Sequence, residues 1–124
     1  MKRLKGYSKH LLAAFFVFAG VNHFIMPDFY LGLIPPYFPA PEAINVVSGV
    51  LEILGGLGLW IPRLQRWAAW GLFALLLAFI PAHVYFLQIG SCVENSLCVP
   101  EWVSWARLLV IHPMLLAWVW WHRD

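Results

Sequence analysis

Apolar residues gather in four stretches of the 124-residue chain, at residues 11–26, 43–61, 67–87 and 102–121, with short polar or proline-rich joins between them. A helix needs about 20 residues to cross a hydrocarbon core of about 30 Å, with a working range of roughly 17–25. The last three stretches have that length. The first, at sixteen residues, reaches it only if Ser8–His10 or Pro27–Phe29 extend it at the interface. The second stretch is the most informative. At helical spacing Asn45, Ser48, Gly49, Glu52, Gly55 and Gly56 fall on one stripe, while Val46, Val47, Val50, Leu51, Ile53, Leu54 and Leu57 cover the rest of the circumference. Lipid outside and a closely packed helix inside call for such a narrow seam of small and polar residues, with Gly49, Gly55 and Gly56 admitting the neighbour. An ionisable residue on that seam should face the interior and find a partner there.

The joins differ in character. Pro27 to Pro41 holds five prolines together with Phe29, Tyr30, Tyr37 and Phe38, a composition that suits an aromatic cap on a membrane surface better than continuous helix. Residues 62–66 form a tight basic turn. Residues 88–101 are polar and carry both cysteines.

Composition turns this pattern into a class. The hydrophobic fraction is 62% and the charged fraction 11%, against about 45–50% and about 25% in soluble domains. Several of the eight tryptophans stand beside the ends of the apolar stretches, where amphipathic rings favour the interface. The expected fold is all-α: one integral membrane domain over residues 1–124, built as a four-helix transmembrane bundle with the cap between helices one and two. Lys2, Arg3, Lys5 and Lys9, then Arg63 and Arg66, then Arg123 account for seven of the eight basic residues. With four spans all seven lie on one side, whereas the opposite loops hold Asp28, Glu42, Glu94 and Glu101. The positive-inside rule then places both termini in the cytoplasm, in a bacterial inner membrane. A secretory signal peptide rivals the first span, since basic residues precede an apolar core, but no small-x-small cleavage site follows Gly20. The net charge of +2 gives no reason to expect nucleic acid as a partner.

Few residues could carry chemistry. Arg107, the eighth basic residue, lies one to two turns into the fourth span, where an arginine costs about 2.5–3.5 kcal/mol and should be compensated. Glu52 is the one acid inside a span. At 1.5 Å per residue it sits about 13 Å deep and Arg107 about 8 Å, so a Glu52–Arg107 interaction is expected. It could be a structural clasp or the frame of a polar ligand pocket, or Glu52 could be protonated and only hydrogen-bonded. Asn22 and His23 close the first span. His83 follows Pro81, which should kink the third span and loosen its carbonyl ladder. His23, Glu52, His83 and Arg107 could converge near the outer face as a site for a quinone carbonyl or for proton transfer; taken singly, each histidine could equally cap a helix end and meet water. His112 is about 140° around an α-helix from Arg107 and need not share the site. His10 and His122 read as interfacial. No two histidines stand at i, i+3 or i+4 and no Cys–His cluster exists, so no metal is expected. Cys92 and Cys98 form a C-x5-C pair on the side where disulfides persist. That pair is either a structural bridge or a redox couple working with a quinone among the helices.

Taken in order, Gly20-Val21-Asn22-His23-Phe24 with Pro27, Ser48 through Leu59, Pro62-Arg63, Ala68, Gly71-Leu72 and Pro81-Ala82-His83 resemble the DoxX-like family of small membrane proteins. The resemblance covers roughly residues 15–86 and leaves out the fourth span and the cysteine loop. It implies a four-helix membrane protein. The family takes its name from a subunit of a membrane thiosulfate:quinone oxidoreductase, and other members resemble parts of membrane oxidoreductase complexes. It supplies no settled catalytic residue, so Asn22, His23, Glu52 and His83 enter as motif positions. The leading expectation is a quinone-associated redox subunit that draws electrons from a soluble or membrane partner. The alternative is a non-catalytic assembly or scaffold protein. A transporter ranks last, because no inverted repeat is visible. Membrane lipid and a second copy of the chain complete the expected partners.

Overall fold

The computed structural model describes residues 2–93 and 98–123, so Glu94 of the second outer loop lies outside the described residues. Among these residues the regular structure is helical, apart from one isolated antiparallel bridge between Cys92 and Cys98. Four helical stretches are long and apolar enough to cross a membrane: Lys2–Ile25, Pro41–Leu59, Gln65–Gln88 and Glu101–Trp121.

The basic leader is not separate from the first apolar stretch. Helix α1 is continuous over Lys2–Ile25, 24 residues, so the shortfall counted from hydropathy disappears. The proline-rich join contains a single short helix, α2 (Pro27–Leu31), with its proline in the first turn, where a missing N–H costs nothing. Helix α3 (Pro41–Leu59) starts on another proline, two residues ahead of the expected boundary. The third stretch is broken where Pro81 demands it, into α4 (Gln65–Ala78) and α5 (Ile80–Gln88). The fourth is α6 (Glu101–Ala106), a π-helical turn over Arg107–Ile111, and α7 (His112–Trp121).

Helix α1 lies along α3, α3 packs on α4, and α4 packs on α7. Glycine sets the first contact. A Cβ at Gly20 would stand 2.6 Å from the Gly49 carbonyl oxygen, and one at Gly56 would stand 2.7 Å from that of Ala13. Both are below any tolerable contact, so α1 and α3 meet backbone to backbone. Gly55 instead faces Leu72 of α4. The apolar core, formed by Leu12, Ala13, Phe16, Leu59, Ala69, Leu72, Leu76 and Val119, occupies the half nearer the chain termini. Large apolar side chains such as Phe18, Leu54, Leu109 and Met114 point outward.

The terminal half also holds a polar cluster. Trp118 Nε1 donates to Ser8 Oγ at 2.7 Å, and His122 Nε2 lies 3.1 Å from the same hydroxyl. His122, just past the end of the fourth candidate span, is fully buried within the protein. His10 is exposed, with its Nδ1 accepting from Trp60 Nε1 at 2.7 Å.

Candidate functional site

The seam of α3 is buried as its pattern demands, with Asn45, Ser48, Gly49, Glu52 and Gly56 all inside. In the half away from the termini the helices part around a cavity of about 460 Å³. Its polar lining comes from His23 of α1, Tyr30 of α2, Asn45, Ser48 and Glu52 of α3, His83 of α5 and Arg107 of the π turn. Phe29, Leu33, Ile34, Phe38, Ile44 and Phe79 supply much of the apolar wall. The volume falls within the range of small-molecule sites, as does the pairing of apolar walls with a few converging polar groups.

Glu52 does not meet Arg107 as charge alone suggested. Its Oε2 lies 3.4 Å from His23 Nε2, with both side chains about 7% exposed. Glycine is the cause. The close approach at Gly20 and Gly49 presses the His23 turn of α1 onto α3, whereas the span carrying Arg107 packs on α4 and α5. Arg107 reaches the same cavity from the far wall with its guanidinium 5.2 Å from the Phe86 ring centre, and its Nη1 is buried without a hydrogen-bond partner. The 3.4 Å contact is too long for a full hydrogen bond, so Glu52 Oε2 also counts as buried and unsatisfied.

His23 is buried rather than capping a helix end in water. Asn45 grips it twice: Nδ2 donates to the His23 backbone carbonyl at 3.1 Å, and Oδ1 lies 2.8 Å from His23 Nδ1. A carbonyl only accepts, which fixes the amide orientation, and the amide oxygen therefore requires a proton on Nδ1. The ring stacks on Tyr30 at 3.8 Å between centroids, 16° from parallel. Asn22 does not line the cavity; its Nδ2 donates to the Tyr30 hydroxyl at 2.8 Å and holds the stacked ring in place. Burial raises the Tyr30 phenol above its ordinary value, and the bond from Asn22 opposes that shift. Tyr30 is therefore neutral at physiological pH.

His112 does not line the cavity, as the sequence reading allowed, but it backs His83, which does. Its backbone N–H bonds to the Arg107 carbonyl, five residues back, closing a π turn. Pro113 accounts for it: in a regular α-helix its ring would collide with the Leu109 carbonyl, and a widened turn relieves the clash. The wider turn brings His112 towards the face of Arg107. Its ring meets His83 edge-on at 4.7 Å, and its Nε2 donates to the Leu76 carbonyl at 2.6 Å. Leu76 lies just before the break at Pro81, and its carbonyl also accepts from the Phe79 backbone N–H at 3.2 Å.

Cys92 and Cys98 are joined as a disulfide, with both residues exposed and neither lining the cavity. The loop is anchored beneath them. Ser104 Oγ donates to Ser91 Oγ at 2.6 Å, and Val99 N–H donates to the Ser91 carbonyl at 3.0 Å. Val93 fills the space beside Gly32, where a Cβ would come within 2.6 Å of it. Among the described residues no group of three or more histidine, cysteine, aspartate or glutamate side chains is placed to hold a metal.

Sequence reasoning placed Asn45 and Ser48 on the interior seam with Glu52, from their helical spacing, without naming them as site residues, and it missed Tyr30, for which the sequence carried no signal.

No curated protein matches this chain significantly, and neither does any solved structure. One family model matches residues 12–123, nearly the whole length. The chain belongs to that family, described as a domain of unknown function (DUF8561).

Proposed function

We propose that this chain is an integral membrane four-helix protein of a bacterial inner membrane, with both termini cytoplasmic, and that its outer cavity binds the head group of a quinone for a membrane oxidoreductase system. The carrying observation is the cavity itself, with apolar walls and a buried guanidinium nitrogen, Arg107 Nη1, that lacks a hydrogen-bond partner. An unsatisfied buried group costs about 1–3 kcal/mol. A bound ligand would supply the missing partner. Arg107 would donate to a ring oxygen, and the His23–Glu52 pair would exchange the proton that accompanies reduction. Electrons would come from a redox partner. The resemblance to DoxX-like proteins agrees with this reading.

The test is to titrate the purified protein in lipid nanodiscs with a short-chain benzoquinone, following binding by calorimetry. Saturable binding that is lost in Glu52→Gln and His23→Ala is expected. A wild-type protein that takes up no more benzoquinone than empty nanodiscs refutes the proposal.

A further inference from the structure

The cavity carries one positive charge that no described residue of its lining balances, and from this we infer that its ligand is an amphiphile with a monoanionic oxygen head group. The argument starts at Asn45. Because it fixes the proton of His23 on Nδ1, a neutral His23 presents only a lone pair at Nε2. An ionised Glu52 also presents only lone pairs, and the two atoms lie 3.4 Å apart out of water. Two facing acceptors repel unless a proton is shared between them. Whether it rests on the imidazole or on the carboxyl, the pair holds one proton and sums to zero charge.

The remaining ionisable lining groups are Tyr30, His83 and Arg107. Tyr30 is a neutral phenol, His83 can add only positive charge, and a guanidinium stays protonated. Among the described residues Glu52 is the one acid lining the cavity, and its charge is already cancelled by the proton it shares with His23. Among the described residues Arg107 therefore faces the cavity without a counter-charge, with Nη1 buried and unsatisfied and the Phe86 ring against its guanidinium. Arg107 is half-buried with its Nη1 out of solvent, and an uncompensated charge so placed carries a cost that a bound anion relieves. The planar fork of arginine is suited to paired oxygens, and the apolar walls accept a hydrocarbon or aromatic body. This inference deepens the pocket reading and rests on the cavity being a ligand site. Within the quinone class it ranks an acidic hydroxyquinone or a deprotonated quinol above the neutral ring, which should still bind, more weakly.

The test uses the full chain in phosphatidylcholine nanodiscs at neutral pH, titrated with phenylbutyrate and with its uncharged amide. The expected result is binding of the acid at least about tenfold tighter than the amide, the scale of one charge-assisted hydrogen bond. Arg107→Gln should abolish that preference and Arg107→Lys should keep part of it. Equal binding of acid and amide overturns the inference, as does an absence of acid binding at millimolar concentration, and neither result requires a variant that folds. An acid preference that survives Arg107→Gln overturns it too. A parallel set of nanodiscs containing phosphatidylglycerol identifies the source: competition with phenylbutyrate assigns the site to a lipid head group, and indifference assigns it to a free acid. Should the neutral benzoquinone fail to bind while the acid preference holds, the anion site stands and the quinone assignment falls.

Discussion

The contact between α1 and α3 can be tested with a single methyl group. At Gly49 a Cβ would lie 2.9 Å from His23 Cβ, 3.0 Å from the Gly20 carbonyl oxygen and 3.0 Å from Phe24 Cε2. Comfortable separations are about 3.5–4.0 Å, so Gly49→Ala obliges α1 to withdraw by about 0.5–1 Å at the level of His23. Overpacking of this kind costs about 1–3 kcal/mol. Replacing a mid-helix glycine by alanine returns about 0.5–1 kcal/mol. Gly71 is the control, because it is also mid-helix but a Cβ there has nothing within 4 Å. Gly71→Ala should gain the helix term alone, so the gap between the two variants is the steric cost of about 1–3 kcal/mol. Reversible unfolding in mixed micelles measures that gap. The same withdrawal should carry His23 out of ion-pair reach of Glu52, which lies only 3.4 Å away, so benzoquinone or phenylbutyrate binding should weaken in Gly49→Ala and hold in Gly71→Ala. If the two variants have the same stability, the helices do not meet through backbone at this level and the account of why Glu52 finds His23 is wrong.

Three further outcomes follow from the same geometry. Asn45→Ala removes both bonds to His23 and should cost about 1–3 kcal/mol per stranded partner; nitrogen-15 spectra of labelled histidine should show His23 losing its Nδ1–H tautomer, and an unchanged spectrum would sink the proton argument. Cys92 and Cys98 should resist a membrane-impermeant maleimide on intact cells and react once a reductant is added, whereas labelling without reductant would show that the bridge is open in the cell. With both cysteines replaced by serine, the exposed positions Tyr37→Cys and Arg63→Cys should label from opposite faces of the membrane, and labelling from the same face would overturn the proposed topology.

Much of the fold was legible because hydropathy and proline act locally. The four long apolar helices lie where the apolar stretches put them, and Pro81 breaks the third at the expected place. The α3 seam was legible too, since three polar residues at helical spacing on a greasy helix have few other uses. The partner of Glu52 was not. Depth and charge pointed to Arg107, but which helix lies nearest is decided by where glycines allow contact, and Gly20 was not read as half of a Gly20–Gly49 junction. The contact of His112 with His83 escaped for another reason. Counting at 100° per residue assumes an unbroken α-helix, and Pro113 had already spoiled that assumption through the π turn ahead of it. The cap was read correctly as irregular, yet nothing in its composition could foretell that Tyr30 would stack on His23.

The two halves of the molecule divide the work between holding together and staying available. The half near the termini is closed by a core drawn from α1, α3, α4 and α7, and the Ser8 hydroxyl bonds to both Trp118 and His122 beside it. The other half departs from regular geometry at three points, the α2 cap, the Pro81 break and the π turn, and each departure places a polar group on the cavity. The cap brings Tyr30, the break brings His83, and the π turn carries Arg107. Such irregular and unsatisfied features destabilise and persist only where the rest of the structure over-determines them. The packed half supplies that determination, and the α1–α3 glycine contacts extend it to the cavity edge. An isolated irregularity could be an accident of sequence. Three of them around one cavity, each bringing a polar group to it, are the arrangement that the proposed ligand site requires.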